Sequence, residues 1–285
     1  MKKISAVMSV YNEEKLLPHV LKNIEPYVDE IVIVDGSPDG PSTDDTKVIA
    51  EACEKVQYQS GIFKTIDGAW DMALQRNTGI SSASGDILMF LSADMFFRNL
   101  EALRDAAETG RHKIYFCPTI EFWINTRALR LYSADGDILS LPSNILEPMA
   151  LDKELNPYCE NDGRFNLDGA AMNQRVILSQ IYKYHLGWIR PFDQQVAKHI
   201  RHVKQHRWGE AGDKLLKGSE RGLEQWAMLH VLSYSQIPSI NYFGGLPEEM
   251  KPLADMKYDE EADEVTRGFQ ERYGVSIFKM MNRGG

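Results

Sequence analysis

The stretch DILMFLSADMFF, residues 86–97, ends an apolar run at Leu91 and then sets one carboxylate, Asp94, among Ser92, Ala93, Met95 and two phenylalanines. Two earlier stretches repeat the pattern. KISAVMSV is followed by Tyr11, Asn12, Glu13 and Glu14, and DEIVIV by Asp35, Gly36, Ser37, Pro38, Asp39 and Gly40. An aromatic ring and several hydrogen-bonding oxygens, brought to one place, are the parts of a binding site for a polar ligand. Each stretch alone also suits a plain structural part. YNEE and Asp94 fit a helix cap, and DGSPDG fits a turn. The recurrence at the end of successive strands favours the binding reading, because ligands of open parallel sheets bind beyond the carboxyl ends of the strands.

The elements that must place these residues alternate. KISAVMSV reads as a strand, and EEKLLPHVLKNI puts Leu16, Leu17, Val20, Leu21 and Ile24 on one helical face. DEIVIVDG is a short apolar strand of the kind covered on both faces. STDDTKVIAEACEKV opens with capping residues and continues as a helix. WDMALQRNTGISSAS predicts a helix up to Gly79, and DILMFLSA a further strand. Strands separated by helices imply a parallel α/β sheet. Beyond residue 110 the rhythm changes. KIYFCPTIEFWI and ALRLYSADGDIL predict strands of an irregular, antiparallel extension, residues 140–175 are loop-rich, and VAKHIRHVKQHRW and GLEQWAMLHVLSY predict helices.

The chain has 285 residues, 43% of them hydrophobic, enough to bury a core without staples. Its three cysteines show neither a disulfide framework nor metal spacing and predict reduced thiols in a cytoplasmic protein. The formal charge of −9 disfavours nonspecific binding to nucleic acid or anionic lipid. The basic start is followed by too short an apolar stretch for a signal peptide. No apolar run approaches a membrane span, and no basic amphipathic terminal helix predicts a tight membrane anchor.

The segments SVYNEEKLLPHVL, VDEIVIVDGSPDG and AWDMALQRNTGISSASGDILMFLSADM, in this order and spacing, resemble glycosyltransferase family 2. They are most similar to the bacterial group that builds lipopolysaccharide cores and surface glycans. The resemblance covers about the first 97 residues and fades after about residue 135. It implies the GT-A fold, a Rossmann-like, mostly parallel sheet flanked by helices with an irregular C-terminal acceptor-side extension. The expected division is 1–135 for the nucleotide-sugar-binding half and 136–285 for the acceptor-side half and helical elaboration.

The resemblance also implies roles. Tyr11 would lie against the nucleotide base with Glu13 nearby, Asp35 would bond the base or ribose, and Ser37 and Asp39 would shape that pocket. Arg76 and Asn77 would sit under the nucleotide or diphosphate, where a guanidinium suits phosphate oxygens. Trp70 and Asp71 are read as helix packing and a surface charge. Members of this family typically carry Asp-X-Asp where this chain has Ser92-Ala93-Asp94, and the last aspartate binds a divalent cation, Mn2+ or Mg2+, bridging the donor's phosphates. With a serine in the first place the site is weaker or draws a second ligand from elsewhere. IYKYHLGWIRPFDQQ resembles a His-Gly-aromatic-Arg segment of some relatives. It offers His185 as that ligand and Trp188 and Arg190 for the donor sugar or phosphate, against a structural histidine and packing roles.

The implied reaction is an inverting transfer of a sugar from a nucleoside-diphosphate sugar, UDP-linked by expectation, to an acceptor hydroxyl. It needs one general base past Asp94. Asp168, beside the open Gly169-Ala170-Ala171, comes first, Glu121 second, and Asp193 is a further candidate. His199, His202 and His206 lie on one helical face among lysines and arginines, and three readings remain: metal, a solvated basic face, or contact with a phosphate-rich partner. The acceptor is open among a glycan, a glycolipid, a protein and a modified nucleic-acid base, as is the oligomeric state. Rival readings are a nucleotide-sugar-binding protein that has lost catalysis, and a nucleotidyltransferase, whose glycine-rich phosphate loop SVYNEEK lacks.

Overall fold

The structure, a computed structural model, describes residues 1–66, 68–123, 125–130, 148–160, 165–167, 172–187, 189, 192–204, 217–232, 239–241 and 244–254. Contacts group the chain into two units. The first comprises residues 1–120, 138–185 and 244–252. The second comprises residues 121–137, 186–243 and 253–285.

The frame of the first unit is a seven-stranded sheet. Strand β1 (Ile4–Val10) sits near its middle, with β2 (Glu30–Ser37) and then the edge strand β3 (Val56–Ile62) on one side. On the other side come β4 (Ile87–Leu91), β9 (Ala150–Asp152), β6 (Ile114–Phe116) and β12 (Arg175–Ile177). Strands β1, β2, β3 and β4 are mutually parallel, and β12 runs parallel to β6. Strand β9 is inserted antiparallel between β4 and β6. The arrangement is mixed α/β with a mostly parallel sheet, as expected. The wholly apolar runs have their reason here: every residue of β4 and all but Glu30 of β2 are buried, because both faces are covered.

Helix α1 (Leu17–Ile24) buries Leu17, Val20, Leu21 and Ile24, four of the five residues expected on its inner face, and Leu16 just before it is buried too. It begins later than the apolar pattern suggests. Pro18 fits a first turn but not a helix interior, and the residues before it are held by a loop. Helix α2 (Thr46–Glu51) is one short segment. Helix α3 (Met72–Ser82) lies close on β1 and β2. A Cβ on Gly79 would stand 2.6 Å from Val7 Cγ1 and 3.2 Å from Val34 Cγ2, so only glycine lets the helix approach this far. Gly36 is required for a similar reason, since a Cβ there would meet the Gly61 carbonyl oxygen at 2.3 Å.

After β4 the chain turns into β5 (Met95–Arg98), which pairs antiparallel with β13 (Tyr182–His185), so that His185 faces Met95. The buried side chain of Asn23 in α1 clamps β5: its amide donates to the Phe97 carbonyl at 3.0 Å and accepts from the Phe97 N–H at 2.7 Å. Helix α4 (Glu101–Glu108) follows β5, and β10 (Tyr158–Cys159) pairs with β11 (Phe165–Asn166) in a small ribbon.

Strand β7 (Thr119–Trp123) straddles the boundary of the units. Within the second unit its end pairs antiparallel with β8 (Asn125–Arg130), which pairs antiparallel with β14 (Ser239–Asn241). Helices α5 (Phe192–Lys204) and α6 (Glu220–Leu232) pack on each other. The expected antiparallel pairing beyond residue 110 is present in β7 and β8 as far as Arg130, residues 131–139 of ALRLYSADGDIL lying outside the described residues, and both late helices are present over their described residues.

Candidate functional site

Because β1, β2 and β4 run parallel, residues 11–14, 35–40 and 92–94 meet at one edge of the sheet. The first two loops are locked together by hydrogen bonds. Asn12, in the left-handed region at φ 53°, donates its N–H to Ser42 Oγ at 2.8 Å and accepts from the Thr43 N–H at 2.9 Å. An asparagine tolerates that conformation better than most side chains. Glu13 N–H donates to Thr46 Oγ1 at 2.8 Å, and Glu14 N–H to Asp44 Oδ2 at 3.1 Å.

Asp35 is fully buried under this lock. It accepts from the Tyr58 hydroxyl at 2.5 Å, the Ser42 hydroxyl at 2.6 Å and the Ser42 N–H at 3.1 Å. Burial, and then the Asp35 carboxylate beside it, push the Tyr58 hydroxyl well above its ordinary pKa, so it stays a donor at neutral pH. Ser37 is buried and donates to the Gly40 carbonyl at 2.9 Å, shaping the turn that carries exposed Asp39.

Above α3 stands an aromatic corner. Tyr11 and Trp70 meet edge to face, ring centroids 5.6 Å apart at 82°. Asp71 is the N-cap of α3, its side chain accepting from the Leu74 N–H at 2.8 Å. Arg76 holds its guanidinium carbon 5.9 Å from the Phe165 ring centroid, and Phe165 packs on Phe90 at 4.2 Å.

Asp94 is buried immediately past β4, and the Ser92 hydroxyl donates to its Oδ1. The β5–β13 pairing brings His185 to it, with Nε2 3.6 Å from the same oxygen. So the carboxylate that stood out in the sequence has an imidazole and a hydroxyl around it. Among the described residues no group of three or more His, Cys, Asp and Glu side chains is arranged to hold a metal ion. One pair of such side chains, Asp94 and His185, does meet here.

A model of the family described as glycosyl transferase family 2 matches residues 5–182, more than half of the chain. The chain belongs to that family. Its mixed α/β architecture, a mostly parallel sheet flanked by helices, is that of the GT-A glycosyltransferase fold. A TPR repeat-containing protein of Synechococcus elongatus is 35% identical over 95 residues, which are 33% of this chain and 21% of that relative. The chain thus spans about a fifth of the length of the curated relative it matches. S. aureus TarS 1–349 superposes at a TM-score of 0.42 with 16% identity, over 81% of this chain and 79% of that one. M. tuberculosis glucosyl-3-phosphoglycerate synthase gives 0.44 with 18% identity, over 83% and 82%.

Of the residues expected at the site, Tyr11, Glu13, Ser37, Asp39, Arg76, Ser92, Asp94 and His185 all belong to the first unit. Two residues that the resemblance assigns to the nucleotide have protein partners. Asp35 gives its carboxylate to Ser42 and Tyr58. Asn77 gives both ends of its amide to fully buried Cys159, donating to its carbonyl at 2.9 Å and accepting from its N–H at 2.8 Å. Glu121 is buried, 8% exposed, in the second unit. Asp168, Trp188 and Arg190 lie outside the described residues, as does His206, and of the Asp193 and His202 side chains nothing is described. His199 is not on a solvated face: it is 2% exposed, and Nδ1 stands 2.8 Å from the Gln195 carbonyl, so that nitrogen carries the proton. Lys198 Nζ donates to the Gly187 carbonyl at 2.9 Å.

Sequence reasoning missed Ser42, Tyr58 and Gln75. Tyr58 lies on an edge strand too polar to read as one. Gln75 is the residue before the Arg-Asn pair, and a glutamine on the inner face of a helix is the signal that was there to follow.

Proposed function

We propose that the domain transfers a sugar, with inversion, from a nucleoside-diphosphate sugar to an acceptor hydroxyl, with UDP the first carrier to test. The observation that carries this reading is Asp94 at the carboxyl end of β4, oriented by the Ser92 hydroxyl and 3.6 Å from His185. A hard divalent cation in such a place is held by one or two protein ligands plus phosphate oxygens. The 3.6 Å between Asp94 Oδ1 and His185 Nε2 sets a carboxylate oxygen and an imidazole nitrogen side by side, donors that such an ion accepts. Asp94 and His185 would hold Mn2+ or Mg2+. The ion, when bound, offsets the charge that grows on the leaving diphosphate.

The remaining roles belong to side chains. Tyr11, with Trp70 behind it, walls the base, and Glu13 and Asp39 lie near its polar edge. Arg76 faces the diphosphate oxygens, and a planar guanidinium suits them. A carboxylate, Asp168 first and Glu121 second, removes the acceptor's proton as its oxygen attacks the anomeric carbon opposite the leaving group. The acceptor is a hydroxyl of a glycan, glycolipid, protein or modified nucleic-acid base. No helix among the described residues is long and apolar enough to cross a membrane.

A donor screen tests this reading. Thermal unfolding is followed with UDP, GDP and CMP, each with and without Mn2+. One diphosphate should stabilise the protein, and only with the ion, by the mass action of binding to the folded state. Equal stabilisation with and without Mn2+, or by CMP as strongly as by a diphosphate, contradicts it. The loss of the first aspartate to Ser92 favours a second reading, binding of the donor without transfer. Release of free sugar or glycosylated product from the donor with Mn2+ excludes that alternative.

A further inference from the structure

The side chain of Gln75 is fully buried, and its amide reaches three backbone carbonyls and one ring. Nε2 lies 2.8 Å from the Val34 carbonyl oxygen, 3.2 Å from that of Val10 and 3.3 Å from that of Gly36. Oε1 accepts from Trp70 Nε1–H at 3.0 Å. The carbonyls belong to the last residue of β1 and to the end of β2, where the chain leaves the sheet to form the rim. Trp70 in turn meets Tyr11 edge to face. One amide thus ties two strand ends and the aromatic corner together.

A buried amide is unfavourable unless its donors and acceptor are satisfied. A methionine of the same length would pack at this helix face without that demand. The amide is therefore explained by what it connects. Gly79, one turn further along the same face of α3, makes the connection possible, because its missing side chain lets the helix sit close enough for Gln75 to reach the carbonyls.

We propose that Gln75 is a positioning residue: it fixes the ends of β1 and β2 and holds Trp70 against Tyr11, and so sets the width of the base pocket and its discrimination between bases. The proposal rests on the reading of Tyr11 as the wall of that pocket.

Its test has two parts. In the free protein, subtracting Trp70→Phe emission from wild-type emission isolates the Trp70 component. The same subtraction in a Gln75→Met background should give a shifted component, because the indole N–H has lost its buried acceptor. An unchanged component overturns the proposal, and this part needs no nucleotide. The second part is titration calorimetry with UDP and GDP, in Mn2+. Gln75→Met should weaken UDP by about tenfold, the effect of one lost buried hydrogen bond, and narrow the UDP-to-GDP ratio. Trp70→Phe should do less, and the double variant should be no worse than Gln75→Met, since both act through one contact. A retained ratio in Gln75→Met, or additive losses in the double variant, overturns it. Should Gln75→Met fail to fold, Trp70→Phe decides: a narrowed ratio supports the proposal and an unchanged one overturns it. If wild type binds neither nucleotide, or Tyr11→Ala binds as wild type does, it is the base-pocket reading that fails, while the emission component still judges the tie between Gln75 and Trp70.

Discussion

Truncating Asn77 isolates a structural function at a position that resemblance assigns to the diphosphate. Both ends of its amide engage one residue, Cys159, which is fully buried. In Asn77→Ala a buried N–H and a buried carbonyl each lose a hydrogen bond at once. Each such group costs about 1–3 kcal/mol. Alanine regains about 0.6 kcal/mol of helix propensity. A net loss of roughly 1.5–5 kcal/mol is expected, equivalent to about 3–12 °C in melting temperature. The damage should centre on the β10–β11 ribbon, because Cys159 is in register with Phe165, the ring beneath Arg76. Urea unfolding with linear extrapolation gives the total, and limited proteolysis shows whether cleavage gathers near residues 158–166. Asn77→Asp should not rescue: it keeps an acceptor for the Cys159 N–H but sets a carboxylate against the Cys159 carbonyl. A change below about 0.5 kcal/mol, within the range of an ordinary surface substitution, would refute the clamp. So would an unaltered melting temperature combined with lost donor binding, which would place Asn77 on the ligand instead.

Gly79→Ala should destabilise by about 1–3 kcal/mol despite its better helix propensity, because the new methyl would lie 2.6 Å from Val7 Cγ1; unfolding free energies at or above wild type would show that α3 gives way freely. Acid stability should depend on Asp29 and Glu30. Burial raises both, but the Ile4 N–H and Arg104 for Asp29, and the Ser5 hydroxyl and Ser84 for Glu30, outweigh it and hold both below the ordinary carboxylate range. A carboxylate depressed in the folded state contributes stability above its unfolded pKa, near 4, and loses it as pH falls through the folded value. Glu30→Gln should therefore flatten the fall in stability between about pH 5 and pH 3, and urea midpoints that fall as steeply as in wild type would remove Glu30 from that account.

How far the sequence is legible follows from what each element rests on. Strands β1, β2 and β4 announce themselves, since strands covered on both faces must be apolar throughout. Helix α1 shows through its four inward apolar residues and Leu16 just before it, all buried. Strand β3, VQYQSGI, does not, because an edge strand is half solvated and needs no apolar run. The gathering of loops at the rim is readable once the strands are parallel, for their ends can only fall on one side. The partners of those loops are less so. Nothing near Asp35 in the chain names Tyr58, and nothing near Asp94 names His185; the first pair depends on β2–β3 register and the second on β5–β13. Asn23 and Asn77 read as polar helix positions, yet each clamps the backbone of a strand that no local pattern connects to it. His199 misleads in the opposite sense: its spacing with His202 suggests a basic surface, while its ring is turned into the protein and bonded to Gln195.

The central claim is that Asp94, with His185, grips the cation of the donor complex. Electron paramagnetic resonance of Mn2+ measures this directly, counting free and bound ion as the protein is titrated in saturating UDP. The account predicts one bound ion per chain in wild type, affinity weakened by tenfold or more in Asp94→Asn, about the effect of one lost charge-assisted contact, and an intermediate loss in His185→Ala. Bound manganese of wild-type affinity in Asp94→Asn would contradict it.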